Sequence, residues 1–171
     1  GDGSTSEGEF WEALSSACVL KLPIVFLIED NEYAISVPRE VQTPGSSISR
    51  TVKGFEPLLI LECDGTDVVE SYRTAGEAVE HARARKGPVL LHAHTTRPYS
   101  HSMSDDERMY RTEEEREQQE ARDPIRRTRT LLIESGIATE AELDALDEDI
   151  QAEVAEAADA ALGHAQPPVE T

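Results

Sequence analysis

A chain of 171 residues, 38% of them hydrophobic, can bury one α/β core and little more. Its 35 acidic residues against 16 basic ones give a formal charge of −19, with no basic stripe to displace counterions, so neither nucleic acid nor an anionic membrane is an expected partner. No apolar run reaches transmembrane length, Cys18 and Cys63 lack metal or redox spacing and read as reduced structural thiols, and a surface whose only lysines are Lys21, Lys53 and Lys86 suits a salty cytoplasm.

The chain opens with Asp2 between Gly1 and Gly3, followed by Ser4, Thr5 and Ser6 and an amphipathic segment with Glu7 and Glu9 in its first turn. This predicts a helix start. Flanking glycines let backbone N–H groups approach an anion, and a helix N-terminus adds partial positive charge, so a phosphate is the expected ligand of the turn. Phe10, Trp11, Leu14, Ala17, Cys18 and Leu22 recur at helical spacing. After Pro23, the apolar run 24–28 predicts a strand covered on both faces of a parallel sheet. Two parallel strand ends would then open onto one crevice, one ending at Asp2 and the other at Asp30 and Asn31. The Asp2 carboxylate, the Asn31 amide oxygen and the Tyr33 backbone carbonyl form a set of hard oxygen ligands suited to Mg²⁺, with a diphosphate completing its shell.

Residues 36–55 hold Pro38, Pro44, Gly45, Gly54 and several serines, and predict a long, irregular, ordered connection. A second strand is expected at 58–61. A helix then starts at Thr66 and Asp67, buries Val68, Val69, Tyr72, Ala75 and Val79, and closes with Arg83, Arg85 and Lys86 before Gly87. A third strand follows at 88–94. The repeated strand-helix-strand order implies an α/β fold with a doubly wound, mostly parallel sheet. His92 and His94 share one face of the third strand, but no cysteine or carboxylate stands at ligand spacing, so a hydrogen-bonded core or interface pair is expected there. The polar stretch 95–110 reads as a loop at the carboxyl edge of the sheet, where His101 is its only imidazole and a candidate proton carrier. Helices are predicted at 113–121, from Pro124 to Gly136, and from Thr139, the last with an apolar stripe of Leu143, Leu146, Ile150, Val154 and Ala157. Residues 165–171, with Pro167 and Pro168, read as a tail or linker.

GDGSTSEGEF at the start and DNEYAIS from Asp30 resemble the thiamin diphosphate signature of the alpha subunit of the 2-oxo acid dehydrogenase complexes, their decarboxylating first component; RPYSHSMSDDERMYRT, residues 97–112, is similar to that subunit's active-site loop. The resemblance implies the thiamin diphosphate-binding fold, incomplete at its N-terminal side, with residues 1–164 as one diphosphate-binding domain, 96–112 as its active-site loop and 113–164 as its C-terminal helices. It also implies thiamin diphosphate and Mg²⁺ as cofactors. Gly1, Asp2, Gly3, Ser4, Asn31, Tyr33, Ala34, Ile35 and His101 would bind the cofactor, Asp2, Asn31 and Tyr33 would hold the metal, and His101 would be catalytic. Asp105, Arg108, Tyr110 and Arg111 would order the loop, and Ser102 matches a position phosphorylated in mitochondrial members. The implied activity is oxidative decarboxylation of pyruvate or a branched-chain 2-oxo acid, with acyl transfer to a lipoyl carrier. The implied partners are a dehydrogenase beta subunit and a lipoyl-bearing acyltransferase, and the expected location is cytoplasmic. Because the resemblance places the glutamate that activates the cofactor on the beta subunit, the chain by itself is expected to be inactive. An acetoin-type dehydrogenase and a non-catalytic assembly subunit of the same fold are the alternatives. His92 departs from the carboxylate that relatives often carry near that position.

Overall fold

Three parallel strands form the centre of the computed structural model, which describes residues 1–166. They are β1 (Val25–Asp30), β4 (Leu59–Asp64) and β5 (Val89–His94), in the order β1-β5-β4. Ile28, His92 and Glu62 lie level across the sheet, as do Asp30, His94 and Asp64 two residues further on. Because strand side chains alternate, all six stand on one face near the carboxyl ends.

The same alternation makes two cores. Ile28 and Leu90 pack on one face with Leu14 of α1 (Gly8–Leu20), with Ile48 of α3 (Ile48–Thr51) and with Val52. Phe10, Trp11, Phe26 and Phe55 extend this side. Val89, Leu91, Ala93 and Cys63 pack on the other face against Ala78 of α4 (Val68–Arg83). Helices therefore cover both faces, and the expected parallel α/β layering is observed. The strand expected to be covered on both faces, β1, is instead an edge among the described residues, paired with β5 alone, and its Leu27 stays half exposed. The central strand β5 is the one buried along its length, except at His94. Both cysteines are free and buried, and burial pushes their thiols above the ordinary range.

Two expectations need correction. The helix start after Asp2 is split into a 3₁₀ turn over Asp2–Ser6 and a separate α1, whose N-cap Glu7 makes no side-chain cap bond. Thr5 Oγ1 donates to the Asp2 carbonyl at 2.7 Å, a local bond that holds the first turn apart from the regular helix. The segment expected to be irregular is instead a hairpin of β2 (Tyr33–Ala34) and β3 (Val37–Pro38), then α2 (Arg39–Gln42), a 3₁₀ turn at Pro44–Ser46, and α3. Ser47 caps α3 by accepting from the Arg50 amide, and Ile48 and Val52, four residues apart, enter the core.

The chain divides into two compact units, Gly1–Arg127 and Thr128–Thr171, with α6 (Pro124–Glu134) running through the division. In the first unit α5 occupies Glu113–Ala121, opened by a capping box of Thr112 and Glu115. In the second, α6 ends at Gly136, whose φ of 66° permits the reversal, and α7 (Glu140–Leu162) starts on a capping box of Thr139 and Glu142. Arg129 binds Glu140, Asp144 and Asp147 together. Leu146, Ile150 and Val154 of the expected stripe on α7 are exposed. Of the expected tail, residues 167–171 lie outside the described residues. No helix among the described residues is long and apolar enough to cross a membrane.

Candidate functional site

Asp2 is buried, although Gly1 and Ser4 beside it are exposed. Its Oδ2 has no hydrogen-bond partner. Burial first, and the negative charge of Asp30 second, raise its carboxyl above the ordinary value, partly offset by its own backbone amide and that of Asn31. An ionised carboxylate in this position is costly unless a cation compensates it. The turn is clamped from α2, where Gln42 Nε2 donates to the Asp2 and Gly3 carbonyls at 3.1 Å each and to Ser6 Oγ at 2.9 Å. Nothing in the local sequence pointed to Gln42, which arrives from forty residues away.

Gly3 lets the turn meet the hairpin. A Cβ there would lie 2.9 Å from the Ala34 Cβ and 3.3 Å from its Cα. Gly3→Ala is therefore expected to destabilise the protein by about 1–3 kcal/mol through overpacking, measured by chemical denaturation. No loss would mean that the hairpin moves aside freely.

The hairpin arranges the remaining candidate oxygen donors. Asn31 Oδ1 accepts the Tyr33 amide at 3.1 Å, an Asx turn that leaves this oxygen a second lone pair. Ala34 pairs with Val37, and the Glu32 carbonyl accepts from the Arg39 amide. Tyr33 thus falls at the alternate position of the ladder, where the carbonyl faces away from β3. Ile35 turns the hairpin at φ 58°, an uncommon conformation for a β-branched residue, and its exposed side chain stands beside the turn. Asp2, Gly3, Asn31, Tyr33, Ala34 and Ile35 are thereby brought together. A buried carboxylate oxygen without a partner, an amide oxygen with spare capacity and a carbonyl outside the ladder fit a hard divalent cation.

Behind Asn31 lies a buried polar chain. Asp30 Oδ1 accepts the Glu32 amide at 2.9 Å, while Oδ2 accepts from Arg39 at 2.9 Å and meets His92 Nε2 at 2.8 Å. His92 is fully buried, with its Nδ1 2.5 Å from Ser49 Oγ. Burial pushes the Asp30 carboxyl up, but the hydrogen bonds from His92 and Arg39 outweigh it and hold the value at about 2. On the other side of His92, Glu62 Oε2 lies 3.7 Å from Nδ1 and 3.0 Å from His94 Nε2. The hydrogen-bonded histidine pair is as expected. The carboxylates missing from the local sequence come from the neighbouring strands.

The loop after β5 is tied to the hairpin. Arg97 donates to the Ile35 carbonyl at 2.9 Å and to the Tyr110 hydroxyl at 2.7 Å, and Arg111 stacks over the Tyr33 ring with its guanidinium 4.5 Å from the centroid. Tyr110 donates to Asp105 at 2.5 Å, and Asp105 accepts the His101 amide at 2.8 Å. Tyr110, Asp105 and Arg111 therefore order the loop, whereas Arg108 pairs with Asp106 alone at an exposed position. The His101 side chain is exposed at the loop's tip, and among the described residues no hydrogen bond joins it to Asp2 or Asn31. Arg97 and Arg39, which fasten these elements, carry no local sequence signal beyond their charge.

The chain is 40% identical over 160 residues to the pyruvate dehydrogenase E1 component subunit alpha of Zymomonas mobilis, which covers 93% of this chain and 44% of that protein. It is 41% identical over 137 residues to the 3-methyl-2-oxobutanoate dehydrogenase subunit alpha of Mycobacterium tuberculosis, covering 80% of this chain and 37% of the relative. The pyruvate dehydrogenase E1 component subunit alpha of Porphyra purpurea matches at 33% identity, over 98% of this chain and 48% of its own length. The chain thus spans less than half the length of these relatives. The family model described as dehydrogenase E1 component matches residues 1–170, and the chain belongs to that family.

Proposed function

We propose that this chain is the cofactor-binding part of the alpha subunit of a 2-oxo acid dehydrogenase, dependent on thiamin diphosphate and Mg²⁺. The observation that carries the reading is the buried Asp2 carboxylate, whose unpartnered oxygen sits in a turn clamped against the Asn31–Tyr33 hairpin. Asp2 and Asn31 would hold Mg²⁺ through their side-chain oxygens and Tyr33 through its carbonyl. Gly1, Gly3 and Ser4 would let the diphosphate approach the backbone, and Ala34 and Ile35 would flank it. Bound thiamin diphosphate supplies the electron sink that makes loss of CO₂ from a 2-oxo acid feasible. The protein's share is positioning, with His101 on its ordered loop holding or delivering a proton at its imidazole.

A thiamin diphosphate-binding fold, a beta-subunit partner and a lipoyl-bearing acyltransferase belong to the same reading. Of the three relatives, two are named as pyruvate dehydrogenase subunits and one as a 3-methyl-2-oxobutanoate dehydrogenase subunit. The test is calorimetry with Mg²⁺ and thiamin diphosphate on the full-length protein assembled with its beta partner, followed by CO₂ release from each of the two acids. Saturable cofactor binding that Asn31→Ala abolishes, and turnover that His101→Ala lowers by 10²-fold or more, are expected. Cofactor retention unchanged in Asn31→Ala would put the metal elsewhere and overturn the assignment.

A further inference from the structure

The carboxyl edge of the sheet holds a second group of ligating side chains that the cofactor does not use. Asp30 stands on β1, His92 and His94 on β5, and Glu62 on β4, all on the same face. One ligand atom from each of Asp30, His92 and His94 lies within 4.8 Å of the others, and Glu62 Oε2 is 3.0 Å from His94 Nε2. We propose that Asp30, His92 and His94 form a three-residue divalent-metal site for an ion of the zinc or cobalt kind, its fourth position open to water, separate from the oxygen site of Asp2, Asn31 and Tyr33.

Donor chemistry separates the two. Two imidazoles with one carboxylate suit Zn²⁺ or Co²⁺, whereas an all-oxygen set suits Mg²⁺. The backbone spacing of the ligands is fixed by the strand ladders, so the site is carried on rigid elements rather than on a loop. Without metal, Asp30 and His92 close on one another at 2.8 Å, and His94 turns to Glu62 at 3.0 Å. Tetrahedral bonds of about 2.0–2.1 Å need ligand atoms roughly 3.3 Å apart, so the Asp30–His92 pair opens by about half an ångström while His94 leaves Glu62 and swings in from a spacing of at most 4.8 Å. His92 bound through Nε2 keeps its remaining proton on Nδ1, where Ser49 Oγ, 2.5 Å away, accepts it. Arg39, 2.9 Å from Asp30 Oδ2, orients the carboxylate from outside. These are the outer contacts that fix ring tautomer and ligand direction in metal sites. Asp30 and His92 are buried, while the side chains of His94 and Glu62 are 39% and 47% exposed, which gives the ion an entry path.

The test uses the full-length protein without an affinity tag, stripped of metal and titrated with Co²⁺ in excess Mg²⁺. One equivalent of Co²⁺ giving the visible d–d bands of a low-coordinate nitrogen and oxygen site, displaced by Zn²⁺, is the expected result. His94→Gln, at the exposed half of the site, should weaken Co²⁺ binding at least tenfold, with thermal denaturation confirming that the variant folds. Asp2→Asn should leave the bands in place. Absence of the bands, their persistence in His94→Gln, or their loss in Asp2→Asn would overturn the proposal.

Discussion

Asp30→Ala is expected to lower the unfolding free energy by about 3–5 kcal/mol, because it strips the shared partner from a buried ion pair and leaves Arg39 and His92 facing an empty site. Asp30 is almost fully buried and accepts from two side chains and one backbone amide. Its carboxyl lies at about 2 in the folded protein against 3.8 for the free side chain. A depressed carboxyl stabilises the fold fully above the unfolded value, and that contribution disappears as the pH falls from 3.8 through about 2. The deficit of the alanine variant should therefore be largest near neutrality and shrink across that interval. Urea denaturation at a series of pH values measures both effects. A deficit below about 1 kcal/mol at pH 7 would mean that Arg39 and His92 re-pair with Glu32 and Glu62.

Asp2→Asn should act in opposite directions on stability and function. Burial and the neighbouring Asp30 raise the Asp2 carboxyl, so its charge costs the metal-free fold stability at neutral pH, and the cost falls away as acid protonates it. Removing the charge should stabilise the metal-free protein by about 1 kcal/mol, at the low end of the penalty for an unsatisfied buried acceptor. The same substitution removes an anionic ligand, and Mg²⁺ affinity should fall by at least about 100-fold, since even an outer partner of a ligand is worth 10–100-fold. Thermal denaturation without metal, paired with calorimetry for Mg²⁺ and thiamin diphosphate, reads both. A variant that is less stable and still binds Mg²⁺ normally would show Asp2 to be a structural acceptor.

These opposed signs illustrate why a group at a binding site can look like a defect in the fold. Asp2 and strained Ile35 each work against local stability, beside a turn and hairpin packed so closely that only glycine fits at position 3. The turn is held from a distance by Gln42, and the hairpin by Arg97. Either clamp could be lost without altering any residue of the ligand set.

Much was legible in the chain alone. The strands, and the helices over 113–121 and after Thr139, follow from periodicity, caps and local residue chemistry, because those signals act over a few residues. The hairpin after Asn31 was not legible, since its two-residue strands fall below any periodic signal and Ile35 at φ 58° runs against its own propensity. Nor were the carboxylate neighbours of His92 and His94. Asp30 and Glu62 lie 62 and 30 positions from His92 along the chain and become its neighbours only because β5 is inserted between β1 and β4. Local sequence thus determined which oxygen-bearing groups and which elements the protein has, through forces that reach one helical turn or one strand. Only the strand order decided which of those groups share a buried space, because pairing of parallel strands joins residues whose separation along the chain carries no pattern.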